Sequence, residues 1–270
     1  MKLTFIGGGN MATALIAGLA GKLLDGANIH VVDPNADALA RLAQQYGVST
    51  ASVMGEGVSG SDVIVLAVKP QQMRDVAAGL APLLGQALVV SIAAGIRAAD
   101  LARWLGGHSA IVRCMPNTPA LIGQGITGMV AMAGVSDTQK ATADAVLRAV
   151  GATVWLDDEA LIDPVTAVSG SGPAYVFFFI EAMQQAAREL GLTAEQGNAL
   201  SLATFTGAAQ LAAQSDEAVA VLRERVTSKG GTTYAAITSM EQAGVKQAII
   251  DAVKAAAARG KELGEQMGAD

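Results

Sequence analysis

Short apolar runs recur along the first part of the chain and alternate with longer segments of helical periodicity. The apolar runs cover residues 2–6, 29–33, 63–68, 87–92, 110–115, 127–132 and 153–156. Several are apolar at every position, which is typical of strands buried on both faces of a mostly parallel sheet. Helical patterns lie between them, at residues 11–22, 37–46, 73–83, 99–105 and 137–150. This alternation predicts an α/β domain over residues 1–156, with a doubly wound, mostly parallel sheet of the Rossmann type.

Beyond residue 156 the strand pattern stops and only helical patterns follow. They cover residues 173–190, 194–214, 216–226, 232–242 and 246–264, which predicts a second, all-helical domain over residues 157–270. Residues 199–213 contain no charged side chain. A helix without a polar face needs burial on every side, so we expect a homodimer that forms through the helical domain. The alternative is a central helix of a monomeric bundle.

Composition and charge narrow the range of partners. Apolar residues make up 51% of the chain and charged residues 16%, which is enough apolar material for a large core. The net charge of −6 argues against a nucleic-acid partner, and no apolar run approaches the length of a membrane span. Glycines at residues 7–9 interrupt the N-terminal apolar run, so it does not fit a signal peptide. We therefore expect a small-molecule substrate.

The single cysteine, Cys114, excludes an internal disulfide and fits a reducing cytoplasm. With only two histidines besides it, one chain cannot assemble a His/Cys zinc site. The expected location is cytoplasmic, and no metal is expected.

A strand, a glycine loop and a helix follow one another at the start of the chain. Gly7, Gly9 and Ala12 fill the three small positions of G-x-G-x-x-G/A, the loop that brings a pyrophosphate to a helix N-terminus. Asp33 ends the second apolar run, where an acidic side chain accepts hydrogen bonds from the adenosine ribose. Together these residues predict a bound dinucleotide. The alternative is that the glycine loop is only structural and that Asp33 only forms a turn before Pro34.

Other loops could carry the chemistry. Residues 67–70, 93–95 and 115–119 follow apolar runs, and ligands of such sheets bind beyond the carboxyl ends of the strands. In the helical half, residues 169–173 and 227–233 are rich in glycine and hydroxyl side chains. The second of these is a plausible cradle for a small carboxylate. Each loop could also be an ordinary turn.

Strong general acids are scarce in these loops. His30 and His108 lie outside them, Lys69 is the only basic residue of the candidate cofactor loops, and Lys229 is the only one of the helical cradle. Reduction of a ketone usually needs a proton donor, whereas a protonated imine is already electrophilic. We therefore favour an imine substrate, with a hydroxyl such as that of Thr233 orienting its nitrogen.

With these residues considered, the chain resembles the pyrroline-5-carboxylate reductase family over residues 5–264. The resemblance rests on the segments FIGGGNM (residues 5–11), AVKP (67–70), SIAAG (91–95), RCMPNTP (113–119), SGSGPAY (169–175) and SKGGTT (228–233). It implies that the protein reduces the cyclic imine 1-pyrroline-5-carboxylate to L-proline with NADPH or NADH, the last step of proline biosynthesis. It also implies dimers with interleaved helical domains, which in some members assemble further into decamers.

The candidate residues follow from the loops and the resemblance together. The candidate cofactor-binding residues are Ile6, Gly7, Gly8, Gly9, Asn10, Met11, Asp33, Ala67, Val68, Lys69, Pro70, Ala93, Ala94, Gly95 and Asn117. The candidate substrate-binding residues are Ser228, Gly230, Gly231, Thr232 and Thr233, and the resemblance assigns the catalytic hydrogen bond to Thr233.

Two positions depart from the pattern of many relatives. Lys229 stands where they have proline, which puts the rigidity of the loop in doubt. Asp33 would repel the 2′-phosphate of NADP(H), while Asn35 and Arg41 would partly offset that repulsion, so both NADP(H) and NAD(H) stay open as cofactors. Two other functions compete: a related imine or β-hydroxyacid oxidoreductase, and a non-catalytic NAD(P)-binding protein.

Overall fold

The computed structural model describes residues 1–269, which divide into two compact units. The first unit comprises Met1–Ser171 together with the chain from Ala255 onward, and the second comprises Gly172–Lys254. The first unit contains a single sheet of eight strands among the described residues. They are β1 Leu3–Ile6, β2 Ile29–Val32, β3 Ser49–Ala51, β4 Val63–Leu66, β5 Leu88–Ser91, β6 Ile111–Met115, β7 Gly125–Ala131 and β8 Gly151–Trp155.

The strand order is β3-β2-β1-β4-β5-β6-β7-β8. All neighbouring pairs are parallel except β6 and β7, which run antiparallel. The order 3-2-1-4-5-6 is that of dinucleotide-binding sheets, in which the chain reverses direction across the sheet beside β1. The predicted Rossmann-type α/β fold is therefore confirmed.

Helices cover both faces of this sheet. They are α1 Asn10–Leu19, α2 Ala36–Tyr46, α3 Met73–Leu80, α4 Ala98–Trp104, α5 Asp137–Arg148 and the short α6 Ile162–Val165, which continues into a π-helical turn, Thr166–Gly170. The position of strand β4 between two cores explains why its residues are all apolar. Val63 and Val65 enter the core beneath α1, α2 and α5, while Ile64 and Leu66 enter the core beneath α3 and α4. Each central strand thus supplies two cores with alternate side chains.

Local sequence signals set the helix ends. Asn35 accepts a hydrogen bond from the Ala38 amide at the start of α2, and Gly47 ends that helix in the left-handed conformation. Ser136 and Gln139 form a reciprocal capping box at the start of α5. These caps satisfy amides and carbonyls that a helix leaves without partners at its ends.

The structure adds one strand and lengthens two. Strand β3 has the sequence Ser-Thr-Ala, pairs with β2 at the sheet edge and is largely exposed, so no apolar run marks it. Strands β7 and β8 each begin two residues earlier than predicted, at Gly125 and Gly151. A side-chain carbon on Gly151 would collide with the Gly125 carbonyl, so the two backbones approach closely only because residue 151 is glycine.

The second unit is helical. Its helices are α7 Gly172–Glu189, α8 Ala194–Gln214, α9 Val219–Arg225, α10 Thr232–Gln242 and the first part of α11 Val245–Gly268. The alternative of α8 as the central helix of a monomeric bundle is wrong, because only Gly197 and Ser201 of α8 are buried. No helix within residues 1–269 is long and apolar enough to cross a lipid bilayer.

The compact units differ from the predicted division at residue 156. Residues 157–171 belong with the sheet, where α6 packs against β6 and β7, and so does α11 from Ala255 onward. The sequence shows no strand pattern after residue 156, which places both segments in the predicted helical half, but neither the absence of strands nor helical periodicity reveals what a segment packs against.

Candidate functional site

The glycine loop joins β1 to α1, and each of its three glycines has a different environment. Gly7 has a φ of 104°, and a side-chain carbon there would lie 2.6 Å from the Ala67 carbonyl oxygen. A carbon on Gly8 would press against Leu42 and Asp33, at 3.3 and 3.4 Å. A carbon on Gly9 would meet no described atom within 4 Å. Gly7 and Gly8 therefore allow tight packing, whereas Gly9 leaves space open in front of α1.

The start of α1 presents unsatisfied donors to that space. The first helical bond that closes at this end runs from the Thr13 amide to the Gly9 carbonyl. No described residue accepts a hydrogen bond from the amides of Gly9, Asn10, Met11 or Ala12. Free amides at the positive end of a helix bind phosphate oxygens. The open space at Gly9 and the donors behind it thus fit a pyrophosphate.

Asp33 lies at the end of β2 and is held by two backbone amides. Its Oδ2 accepts a hydrogen bond of 2.7 Å from the Gly8 amide, and its Oδ1 accepts one of 2.8 Å from the Asn35 amide. The carboxylate therefore also fixes the glycine loop. It keeps free lone pairs for a ribose hydroxyl and places a negative charge where a 2′-phosphate would come close.

A cleft of about 790 Å³ opens beside these residues. Seven of the predicted cofactor residues line it: Ile6, Gly7, Gly9, Asp33, Ala67, Val68 and Lys69. The remaining lining residues were not predicted: Val32, Pro34, Asn35, Ser52, Val53, Met54, Gln72, Val76 and Gly79. A cleft of this size and position suits the adenosine end of a dinucleotide.

Four other predicted residues adjoin the cleft without lining it. Gly8 is buried beneath the loop, Asn10 and Met11 begin α1, and Pro70 begins a 3₁₀ turn after Lys69. The amides of Asn10 and Met11 have no acceptor among the described residues. Arg41 does not line the cleft, and the Asn35 side chain caps α2, which weakens the expectation that they offset Asp33.

The predicted loop at residues 93–95 follows β5, at the same sheet edge as the glycine loop. Ala93 is buried and Ala94 is exposed. Gly95 has a φ of 76°, and a side-chain carbon there would lie 3.3 Å from the Met267 sulfur of α11. The positive φ accounts for the glycine, α11 packs against it, and Ala94 is the member that faces solvent.

Asn117, after β6, bridges two segments. Its amide nitrogen donates to the Ser169 carbonyl in the π-helical turn, and its Oδ1 accepts from the Ile126 amide in β7. Met115 packs against Gly170 of the same turn. Ser169 and Gly170, the first residues of the motif at residues 169–173, therefore lie against the end of β6, and the Asn117 side chain is occupied by backbone partners.

The loop before α10, in the second unit, also presents unsatisfied donors. The Gly231 amide donates to the Ser228 carbonyl across a turn in which Gly230 has a φ of 76°. Residues 1–269 supply no acceptor for the amides of Thr232 or Thr233, nor a partner for the half-buried Thr233 hydroxyl. Such a helix start fits a small carboxylate.

Other reactive side chains lie away from these sites. Burial raises the pKa of the Cys114 thiol, which keeps it protonated and unreactive. His108 Nε2 lies 2.9 Å from the Ala87 carbonyl oxygen, and His30 Nδ1 lies 2.9 Å from the Ser49 hydroxyl. Neither histidine lines the cleft, and the described residues contain no group of three potential metal ligands.

Family models match both parts of the chain. Residues 2–95 match the model described as NADP oxidoreductase coenzyme F420-dependent, and residues 159–263 match the model described as pyrroline-5-carboxylate reductase dimerisation. The sheet order, the glycine cleft and these matches define a two-part NAD(P)-dependent oxidoreductase with a dimerisation segment.

Similar proteins extend over nearly the full chain. A pyrroline-5-carboxylate reductase of Pseudomonas aeruginosa is 48% identical, over 99% of this chain and 98% of that protein. The structure of a pyrroline-5-carboxylate reductase from Coxiella burnetii has a TM-score of 0.92 at 42% identity, covering 97% of this chain and 98% of that one. A Plasmodium falciparum pyrroline carboxylate reductase with NADP bound has a TM-score of 0.87 at 31% identity, covering 98% of each chain. The chain belongs to the pyrroline-5-carboxylate reductase family.

Proposed function

We propose that this protein reduces 1-pyrroline-5-carboxylate to L-proline. The observation that carries the proposal is the full-length similarity to proteins of that name, which spans both the dinucleotide cleft and the loop at residues 228–233. The bound cofactor would supply a hydride to the imine carbon, and the proton already on the ring nitrogen of the protonated imine would complete the reduction to the amine.

The cleft residues bind and orient the cofactor. Gly9 leaves space for the pyrophosphate, the amides at the start of α1 donate to its oxygens, and Asp33 accepts from the ribose. Ala67, Val68 and Lys69 also line the cleft, next to Gly7. Fixed donors and apolar walls hold the dinucleotide in one pose, and such positioning lowers the entropic part of the barrier.

The loop before α10 binds the substrate. The amides of Thr232 and Thr233 donate to the carboxylate, and the Thr233 hydroxyl hydrogen-bonds the ring nitrogen. Ser228, Gly230 and Gly231 shape the turn that exposes these donors. Because the protonated imine is already electrophilic, this arrangement needs no strong acid.

The second unit forms a homodimer in this proposal. Large apolar side chains of α7 and α8 are exposed in the single chain, among them Phe177, Phe178, Leu200 and Leu211. So many exposed large apolar side chains on two helices are typical of an interaction surface. In this proposal such dimers assemble further into decamers. The buried, unpaired thiol of Cys114 supports a reducing cytoplasm as the location.

A spectrophotometric assay tests the proposal. Oxidation of NADH and of NADPH is followed with 1-pyrroline-5-carboxylate, with an unrelated cyclic imine, and in reverse with a 3-hydroxy acid. We expect pyrroline-dependent oxidation and formation of proline. Turnover only with the hydroxy acid would favour the β-hydroxyacid oxidoreductase. Cofactor binding without any turnover would favour a binding protein.

A further inference from the structure

A single carboxylate oxygen joins two segments that are distant in sequence. Glu159 Oε1 accepts a hydrogen bond of 2.7 Å from Arg113 Nη1, in the middle of β6. The same oxygen accepts a bond of 2.7 Å from the Ala98 amide. The Arg113 side chain is only 4% exposed, so its charge depends on Glu159 as the described partner. Glu159 thereby ties the backbone at Ala98 to the middle of the sheet.

Ala98 is the first residue of α4 and immediately follows the loop after β5. That loop contains Ala93, Ala94 and Gly95, which are predicted to contact the cofactor. The cleft for the adenosine end lies at the ends of β1, β2 and β4, and β5 is the next strand of the sheet, so its loop lies toward the nicotinamide end of a dinucleotide that crosses this edge. Loops are the mobile parts of a sheet's ligand edge, and their ends set where they lie. The Glu159 hydrogen bond fixes the far end of this one.

The last turns of α11 hold the same loop from another direction. A side-chain carbon on Gly95 would lie 3.3 Å from the Met267 sulfur and 3.9 Å from the Gly264 nitrogen. A carbon on Gly264 would lie 3.5 Å from the Gly95 carbonyl oxygen. Two glycines therefore face each other, and the helix backbone lies in close contact with the loop. Arg97 adds an ion pair of 3.6 Å with Glu265.

We propose that Glu159 and Met267 are positioning residues for the nicotinamide half of the cofactor. They hold the loop at residues 93–97 from two sides, and neither lines the cleft beside Gly9 and Asp33. The inference rests on the proposed cofactor binding. It predicts that loosening this loop affects binding and reaction of the nicotinamide end, while the adenosine end binds as before.

Ala98→Pro tests the Glu159 contact with little other change. Proline lacks the amide hydrogen and is favoured at the first position of a helix, and Arg97 before it is extended, as proline requires. The Arg113–Glu159 pair stays intact. Ala98→Val is the matched control, because it adds bulk and keeps the amide. Dissociation constants are measured by fluorescence for NADH, NADPH and the adenosine half alone (ADP-ribose and its 2′-phosphate form), without substrate.

We expect Ala98→Pro to weaken binding of the reduced cofactor, or lower kcat, by roughly 10-fold, because small misplacements of reacting groups cost up to about 100-fold. Binding of ADP-ribose should be unchanged, and Ala98→Val should resemble the wild type. Unaltered cofactor binding and kcat in Ala98→Pro, or an equal loss for ADP-ribose, would overturn the proposal.

Met267→Ala gives an independent readout should Ala98→Pro fail to fold. Its matched control is Gln266→Ala, an exposed neighbour on the same helix. We expect the same selective loss in Met267→Ala and none in Gln266→Ala, and equal behaviour of the two variants overturns the proposal. These binding measurements need no turnover. A wild type that binds cofactor but does not reduce the imine contradicts the proposed function alone, and a wild type that binds no cofactor contradicts both.

Discussion

At the scale of single residues, Asp33 has two roles that point in different directions. Its carboxylate accepts a hydrogen bond from the Gly8 amide and so fixes the glycine loop, which would serve NAD(H) and NADP(H) alike. Its charge opposes a 2′-phosphate, which only NADP(H) carries. The sequence spacing predicts the second role. The hydrogen bonds to Gly8 and Asn35 emerge only from the folded loop.

Asp33→Asn removes the negative charge and keeps one side-chain oxygen that can accept a hydrogen bond from a backbone amide. We expect the ratio of kcat/KM for NADPH to that for NADH to rise about 10-fold, equivalent to about 1.4 kcal/mol of lost repulsion. Steady-state kinetics with both cofactors measures the ratio. Asp37→Asn, an exposed carboxylate at the start of α2, is the control. A ratio that stays constant would remove Asp33 from cofactor selection.

Gly7→Ala and Gly9→Ala should separate folding from binding. Alanine at residue 7 meets the Ala67 carbonyl at 2.6 Å with a positive φ, so we expect a loss of about 2–4 kcal/mol in the free energy of unfolding. Alanine at residue 9 meets no described atom and should leave stability unchanged, yet weaken NAD(P)H binding by roughly 10-fold or more by occupying the pyrophosphate space. Urea unfolding and cofactor titration give the two quantities. Equal effects in both variants would contradict this division.

Thr233→Val tests the hydroxyl assigned to the substrate nitrogen. Loss of one hydrogen bond to the reacting group should lower kcat/KM for the imine by roughly 10- to 100-fold, or about 1.4–2.7 kcal/mol. Thr238→Val, on the same helix and outside the loop, is the control. Kinetics equal to the wild type would exclude Thr233 from the mechanism.

At the scale of elements, the apolar pattern predicts seven of the eight strands in the described residues and misses β3. Strand β4 is recognisable because both cores draw on it. Strand β3 is short, polar and at the edge, and the cleft wall at residues 52–54 that follows it was missed with it. Ala67–Lys69 and Gly7–Gly9 were found because their turn residues are visible in the sequence. The packing of Gly95 against α11 is a contact across most of the chain, which no local pattern contains.

The reactivity of Cys114 toward an alkylating reagent reports whether strand β6 opens. Cys114 is buried, and burial raises the pKa of its thiol, so the reactive thiolate is absent in the folded protein at neutral pH. We expect alkylation by iodoacetamide to be very slow in native buffer and to rise with the unfolded fraction in urea. Rapid labelling of the native protein would show that β6 opens locally.

At the scale of the whole molecule, the second unit exposes apolar side chains that a lone chain would leave in water. Leu211 on α8 is 61% exposed. Leu211→Glu should convert a dimer to monomers, because burying an unpaired charge in an apolar interface costs desolvation free energy that no partner offsets. Light scattering after size exclusion measures the mass. Leu23→Glu, 51% exposed in the first unit, should stay dimeric. A monomeric wild type would contradict the proposed dimer.

The absence of charge along α8 has a consequence for how such an assembly responds to its surroundings. Between Glu195 and Asp216 no side chain carries a charge, so this stretch makes no charge–charge interaction that dissolved salt could screen. A partner subunit along α8 must therefore be recognised by shape. Glycine and alanine allow close approach of the backbones, and leucine and phenylalanine fill the remaining space. Across this helix, association should therefore be as strong in concentrated salt as in dilute buffer, and should weaken on cooling, as contacts made by excluding water do.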